Sequence, residues 1–224
     1  ALGFISWVNY SFLPDPVTLL FHRPSTSVTS DSLPGQWSMV GRDLQLTRYL
    51  PNITEHPVGR LLWTQDLGQP TRSAPTVADG VIYTGGHFKA LALDAQTGES
   101  IWVLDTNGPV HYSPAVAGTN LYIGLLDHRL LALDQRSGEV RWESRAQGPI
   151  TTSPLVSDGF VYFGSSDQFI YALDAFNGNV IWKEEIQGNV RSSVAIYDGK
   201  LFATDTEGNL HILNARTGQD RMRF

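Results

Sequence analysis

Four tryptophans, Trp63, Trp102, Trp142 and Trp182, stand 39, 40 and 40 residues apart. Gly98, Gly138, Gly178 and Gly218 keep an interval of 40 throughout, and Gly68, Gly108, Gly148 and Gly188 do the same. Three separate registers with one period mean that one structural unit is repeated four times. A period near forty restricts the architecture to a propeller or a helical solenoid. The contents of the repeat decide between them.

Those contents read as strands. Each copy holds an apolar run, Val81-Ile82-Tyr83, Leu121-Tyr122-Ile123, Val161-Tyr162-Phe163 and Leu201-Phe202-Ala203, rich in β-branched and aromatic residues. The turn before each is read as Asp79-Gly80, Thr119-Asn120, Asp158-Gly159 and Asp198-Gly199. Asp-Gly is a strong hairpin signal, because glycine accepts the positive φ of the turn. The runs do not alternate with polar residues, so both faces need cover. Blades stacked around an axis supply that cover, and a sandwich of two half-wet sheets does not. The expected fold class is all-β, a β-propeller of four-stranded blades with four blades present. The strands of the first blade are expected near 72–78, 81–85, 88–94 and 100–105.

The segment between the third and fourth strands is the most specific. It reads ALDAQTGESIW at 92–102, ALDQRSGEVRW at 132–142, ALDAFNGNVIW at 172–182 and ILNARTGQDRM at 212–222. This resembles the tryptophan-docking motif of the quinoprotein-like (PQQ-like repeat) β-propeller family. Asp94, Asp134, Asp174 and Asn214 are suited to accept backbone N–H groups of the following turn. Gly98, Gly138, Gly178 and Gly218 take the turn position that a Cβ would hinder. The resemblance implies that Trp63, Trp102, Trp142 and Trp182 each pack on the next blade, worth about 2–3 kcal/mol per buried ring. Met222 replaces the tryptophan in the last copy. The lead-in QWSMVGRDLQLTRY at 36–49 also resembles bacterial members of this family. Those members include the outer-membrane-assembly scaffold (BamB-like), to which this chain is closest in character, and alcohol dehydrogenases with a quinone cofactor.

Composition narrows the function. The formal net charge of −6 opposes a nucleic-acid partner. The chain has no cysteine, whereas the resemblance implies an adjacent cysteine pair, a calcium or lanthanide site and a catalytic aspartate in the dehydrogenases. Seven or eight blades need about 280–320 residues, more than the 224 here. No nucleophile elbow, zinc helix, P-loop or dinucleotide fingerprint is present. No catalytic residue, metal or cofactor is therefore expected, and the chain reads as a non-enzyme. His87 aligns with Asp127, Asp167 and Glu207 as solvated turn residues, one per blade, and 205–209 reads as a turn rather than a calcium loop.

One set of positions is a candidate contact site. Arg72, His111, Thr151 and Arg191 occupy the same place in successive copies, at the entry to the innermost strand and the mouth of the expected channel. Variation at one point of a structural repeat marks where the repeat is free to act. Two arginines and a histidine there suit an anionic group or a partner's acidic loop; ordinary solvated edge residues are the competing reading.

Residues 1–21 are apolar and aromatic but interrupted by Pro14, Asp15 and Pro16, so they read as a membrane-proximal or partner-binding arm rather than a spanning helix. Residues 22–37, rich in Ser, Thr and Pro, read as a linker, and 38–224 as the propeller. Four repeats would leave apolar blade faces bare, so the natural chain is expected to continue past Phe224 as part of a seven- or eight-bladed ring. The function expected is a non-catalytic scaffold. It would act outside the cytoplasm, on the periplasmic side, as an accessory subunit bound to integral membrane or membrane-complex proteins. The alternatives are the ligand-sensing domain of a membrane receptor and a fragment of a quinoprotein dehydrogenase.

Overall fold

The computed structural model describes Met39, residues 61–219 in full and the backbone of 220–223. The arm, the linker and nearly all of the lead-in lie outside the described residues. Sixteen strands follow in four groups of four. The first blade holds β1 (Thr76–Ala78), β2 (Val81–Gly85), β3 (Lys89–Asp94) and β4 (Ser100–Asp105). The second holds β5 (Ala115–Ala117), β6 (Asn120–Gly124), β7 (Arg129–Asp134) and β8 (Val140–Arg145). The third holds β9 (Leu155–Ser157), β10 (Phe160–Gly164), β11 (Phe169–Asp174) and β12 (Val180–Glu185). The fourth holds β13 (Ala195–Tyr197), β14 (Lys200–Thr204), β15 (Leu210–Asn214) and β16 (Asp220–Arg223). Each group is an antiparallel meander in chain order. The fold is a β-propeller with four blades present, and no described helix is long and apolar enough to cross a membrane.

Two details differ from the sequence reading. The innermost strand of the first blade starts at Thr76 rather than residue 72. The residues before it turn their polar groups sideways: Ser73 Oγ donates to Tyr112 O (3.2 Å) and Thr76 Oγ1 to Pro114 O (2.7 Å), both on the second blade. Likewise Ser113 N donates to Ser153 Oγ (3.0 Å) on the third. These groups tie blade to blade instead of extending the ladder within one. The second hairpin turns at Gly118-Thr119, because Ala117 pairs with Asn120. Gly118 supplies the positive φ of 60° there. The repeat is one residue shorter between the first two blades, and a strict interval of forty puts the turn one residue late.

The sheet registers explain the core. Tyr83 faces Ala92, which faces Trp102 across the first blade, so all three share one face. Ala92 leaves room for the indole beside it. The same rows recur as Tyr122–Ala132–Trp142 and Tyr162–Ala172–Trp182. The opposite face of the next blade is aliphatic. Leu121, Ile123, Leu131 and Leu133 are buried in one cluster with Tyr83, Ala90 and Ala92 of the first blade. A larger cluster joins the second, third and fourth blades and includes Met39. Strands β10 and β11, with a blade on each side, are buried nearly throughout. In the fourth blade the corresponding row is Phe202–Ile212–Met222. There Phe202, Leu210 and Ile212 are only half-buried and Tyr197 is exposed.

Candidate functional site

The docking residues come together across blades rather than within them. Trp63 Nε1 donates to Ala95 O (3.1 Å), Trp102 to Gln135 O (3.0 Å), Trp142 to Ala175 O (3.2 Å) and Trp182 to Ala215 O (3.0 Å). Each ring lies on a glycine of the next blade's turn. A Cβ built on Gly98, Gly138, Gly178 or Gly218 would sit 2.5–2.7 Å from ring atoms of Trp63, Trp102, Trp142 or Trp182. All four glycines have φ between 72° and 77°, a region that side chains disfavour. The turn is held by the preceding acid. Asp94 Oδ1 accepts Gln96 N and Thr97 N (both 2.8 Å), and Asp134 Oδ1 accepts Arg136 N (2.9 Å) and Ser137 N (3.0 Å). Asp174 Oδ1 accepts Phe176 N (2.7 Å) and Asn177 N (3.2 Å), and Asn214 Oδ1 does the same for its own turn. The backbone N–H groups of Ser137 and Arg136, with the Arg141 side chain, hold the Asp134 carboxyl down at about 2.

Sequence reasoning missed the tyrosines of the same rows. Tyr83 Oη donates to Gln135 O (3.3 Å), the carbonyl that Trp102 also uses. Tyr122 Oη donates to Ala175 O (2.9 Å), shared with Trp142. Burial pushes both hydroxyls up to about 12. Their spacing of 39 in the sequence was visible, but a tyrosine in a strand is already accounted for by β propensity.

The residues expected at a channel mouth lie at the other end of the blades, ahead of the innermost strands. Arg72 is exposed and His111 half-buried. Burial lowers the His111 pKa, and the charges of Arg72 and His87 lower it further. His87 lies with its ring centroid 6.3 Å from that of His111 and 4.2 Å from Phe88, edge-on. These three basic side chains form one cluster on the first two blades. Thr151 serves the frame instead, its Oγ1 donating to Val190 O at 2.6 Å. Arg191 stands exposed on the approach to the fourth blade. His87 lies on the loop from β2 to β3, which is shorter than each of its counterparts, by one residue in the second and third blades.

Of the counterparts of His87, Glu207 is exposed, whereas Asp127 and Asp167 are bonded. Asp127 Oδ2 binds Arg129 at 2.6 Å. Asp167 Oδ2 accepts Gln147 N (2.9 Å), Gly148 N (3.0 Å) and the Tyr171 hydroxyl (2.7 Å). In the fourth blade Asp205, its side chain wholly buried, accepts His211 Nε2 at 2.8 Å, with Asn209 and Glu207 N–H groups completing its shell. Burial would raise the Asp205 carboxyl; the bonds from His211, Asn209 and Glu207 outweigh it and hold the group well below the usual carboxylate range. Among the described residues no group of three or more His, Asp or Glu is arranged to hold a metal ion.

Four antiparallel blades, docked in series by tryptophan on glycine, define a PQQ-like β-propeller. The sequence profile described as "Outer membrane protein assembly factor BamB" matches residues 53–109 and 86–223, and the chain belongs to that family. BamB of Moraxella catarrhalis superposes with a TM-score of 0.67 at 22% identity, covering 72% of this chain and 55% of that one. The quinohemoprotein alcohol dehydrogenase ADH-IIG of Pseudomonas putida superposes at 0.76 and 23%, covering 95% of this chain and 42% of its own. By sequence that enzyme is 34% identical over 121 aligned residues, 46% of this chain and 17% of the enzyme. The dehydrogenase subunit of a quinone alcohol dehydrogenase from Gluconobacter oxydans is 32% identical over 123 residues. The chain therefore spans about a sixth of the length of the curated relatives it matches. Because those relatives are alcohol dehydrogenases, the expectation that the chain is not an enzyme is overturned. A metal-bound quinone cofactor finds no ready cradle among the described residues, which lack a cluster of metal ligands.

Proposed function

We propose that this chain is an extracytoplasmic propeller scaffold, an accessory subunit that joins a membrane protein complex through protein–protein contacts. The family match over residues 53–109 and 86–223 carries this reading, through the outer-membrane-assembly role in the family's description. Residues 1–21 would hold the blades near the membrane or a partner, with 22–37 as the tether and 38–224 as the propeller. The cluster of Arg72, His87 and His111 would receive an acidic loop, since clustered basic groups favour an anionic contact. Arg191 would add a second cationic point, and Thr151 would brace the frame between.

A second reading, part of a quinoprotein dehydrogenase, is favoured by one observation, the 34% identity to the Pseudomonas putida enzyme. A photo-crosslinking residue at position 111, used in the source membrane, separates the two. The scaffold reading predicts cross-links to an integral membrane subunit, weakened when Arg72 and Arg191 are both changed to Glu. Unchanged cross-linking in that double variant would remove the contact site. Alcohol oxidation by the purified chain on addition of a quinone cofactor would favour the dehydrogenase reading.

A further inference from the structure

The first two blade junctions are built alike, and the third departs from their pattern. At the first two, the tyrosine hydroxyl is bonded to a carbonyl of the next blade. At the third, Tyr162 holds the same position and is 1% exposed, yet Ala215 O is taken by Trp182 alone. The Tyr162 hydroxyl has no hydrogen-bond partner among the described residues. Ser157, 7% exposed, replaces the Ala78 and Ala117 of the earlier blades, and its hydroxyl has no partner there either. Both residues line a cavity of about 380 Å³ between the third and fourth blades, and neither oxygen is sealed from it. The cavity opens among the Asp-Gly turns, at the end of the blades opposite His111.

Its rim carries both signs of charge. Arg216 of the fourth blade reaches Asp158 of the third at 3.8 Å, and Lys200 reaches Asp198 at 3.5 Å. These pairs are long and exposed, so they hold their partners weakly and part readily. Two carboxylates against one ammonium and one guanidinium leave no net field to select an ion. A lone anion would meet Asp158, and a lone cation would meet Arg216. A neutral ligand with several hydroxyls meets donors and acceptors without either penalty. Ile196 and Ala215 supply an apolar patch for its C–H face.

We infer that this cavity between the third and fourth blades binds a small neutral polyhydroxyl compound of monosaccharide size. The buried Tyr162 hydroxyl, kept protonated by its surroundings, and Ser157 form the floor. The rim groups bracket vicinal hydroxyls, with guanidinium and ammonium as donors and carboxylates as acceptors.

The test is an NMR titration of the whole 15N-labelled chain, following the Gly199 and Arg216 amides. Glucose, glycine and inorganic phosphate serve as neutral, zwitterionic and anionic probes. Saturable shifts with glucose alone are expected, with a Kd in the millimolar range weakened about fivefold or more in Tyr162→Phe. Ser157→Ala, which installs the residue found at the other junctions, should keep the fold and also weaken binding. No saturation by glucose at about 100 mM, equal binding in both variants, or binding of glycine or phosphate instead would overturn the inference.

Discussion

At the scale of single residues, the repeat is held by positions where only one side chain fits. Gly178 combines a φ of 75° with a Trp142 ring atom 2.5 Å from where a Cβ would lie. Gly118 has a φ of 60° but open space around it. Gly178→Ala should therefore cost about 3 kcal/mol, strain and clash together, and Gly118→Ala about 1 kcal/mol, strain alone. Urea unfolding of the two variants measures the difference, and equal losses would deny the docking its steric basis. The Asp205–His211 pair gives a second test. The Asp205 carboxyl is depressed in the folded chain, so its stabilisation is complete above the unfolded value of about 3.9 and fades as pH falls below it. Asp205→Asn should flatten the loss of stability below about pH 4. His211→Leu, which copies Leu131 of the second blade, should cost about 3 kcal/mol at pH 7, because it leaves a buried carboxylate without its partner. The Asp205–His211 pair was not legible beforehand. The residues 205–209 read as a plain turn, and the histidine that completes the pair lies on the following strand.

At the scale of elements, blades communicate through shared carbonyls. Ala175 O, on a residue 1% exposed, accepts both the Trp142 indole and the Tyr122 hydroxyl. Removing one donor leaves the carbonyl satisfied, and removing both leaves it bare. Tyr122→Phe should cost about 1 kcal/mol and Trp142→Phe about 1–2 kcal/mol. The double variant should exceed their sum by about 0.5–1 kcal/mol, which a double-mutant cycle in urea resolves. Strict additivity would mean that the two bonds act independently. The strands and the docking turns were readable in the sequence because each is a local pattern repeated four times. Apart from the tyrosine bonds, what escaped was mostly what broke the repeat. A missing residue between β2 and β3 shortened the loop that carries His87, and the same shortening displaced the second hairpin to Gly118-Thr119. The Ser157–Tyr162 cavity escaped for a different reason: it depends on a bond that two junctions make and the third does not.

At the scale of the whole molecule, the array has two unlike ends. Trp63 already fills the docking turn of the first blade, while the fourth blade turns the half-buried Phe202 and Ile212 outward. Two kinds of protein stand among the relatives, an outer-membrane assembly factor and an alcohol dehydrogenase. Charge separates their demands. A scaffold contact at Arg72, His87 and His111 should weaken as salt rises, because Arg72 and His87 are exposed. Native mass spectrometry of the protein, extracted in mild detergent from its source membrane, tests the scaffold reading most directly. That reading predicts the chain in a complex with integral membrane subunits, released in stages as ionic strength is raised. Recovery of the chain free of any membrane subunit at every salt concentration, down to the lowest, would contradict it.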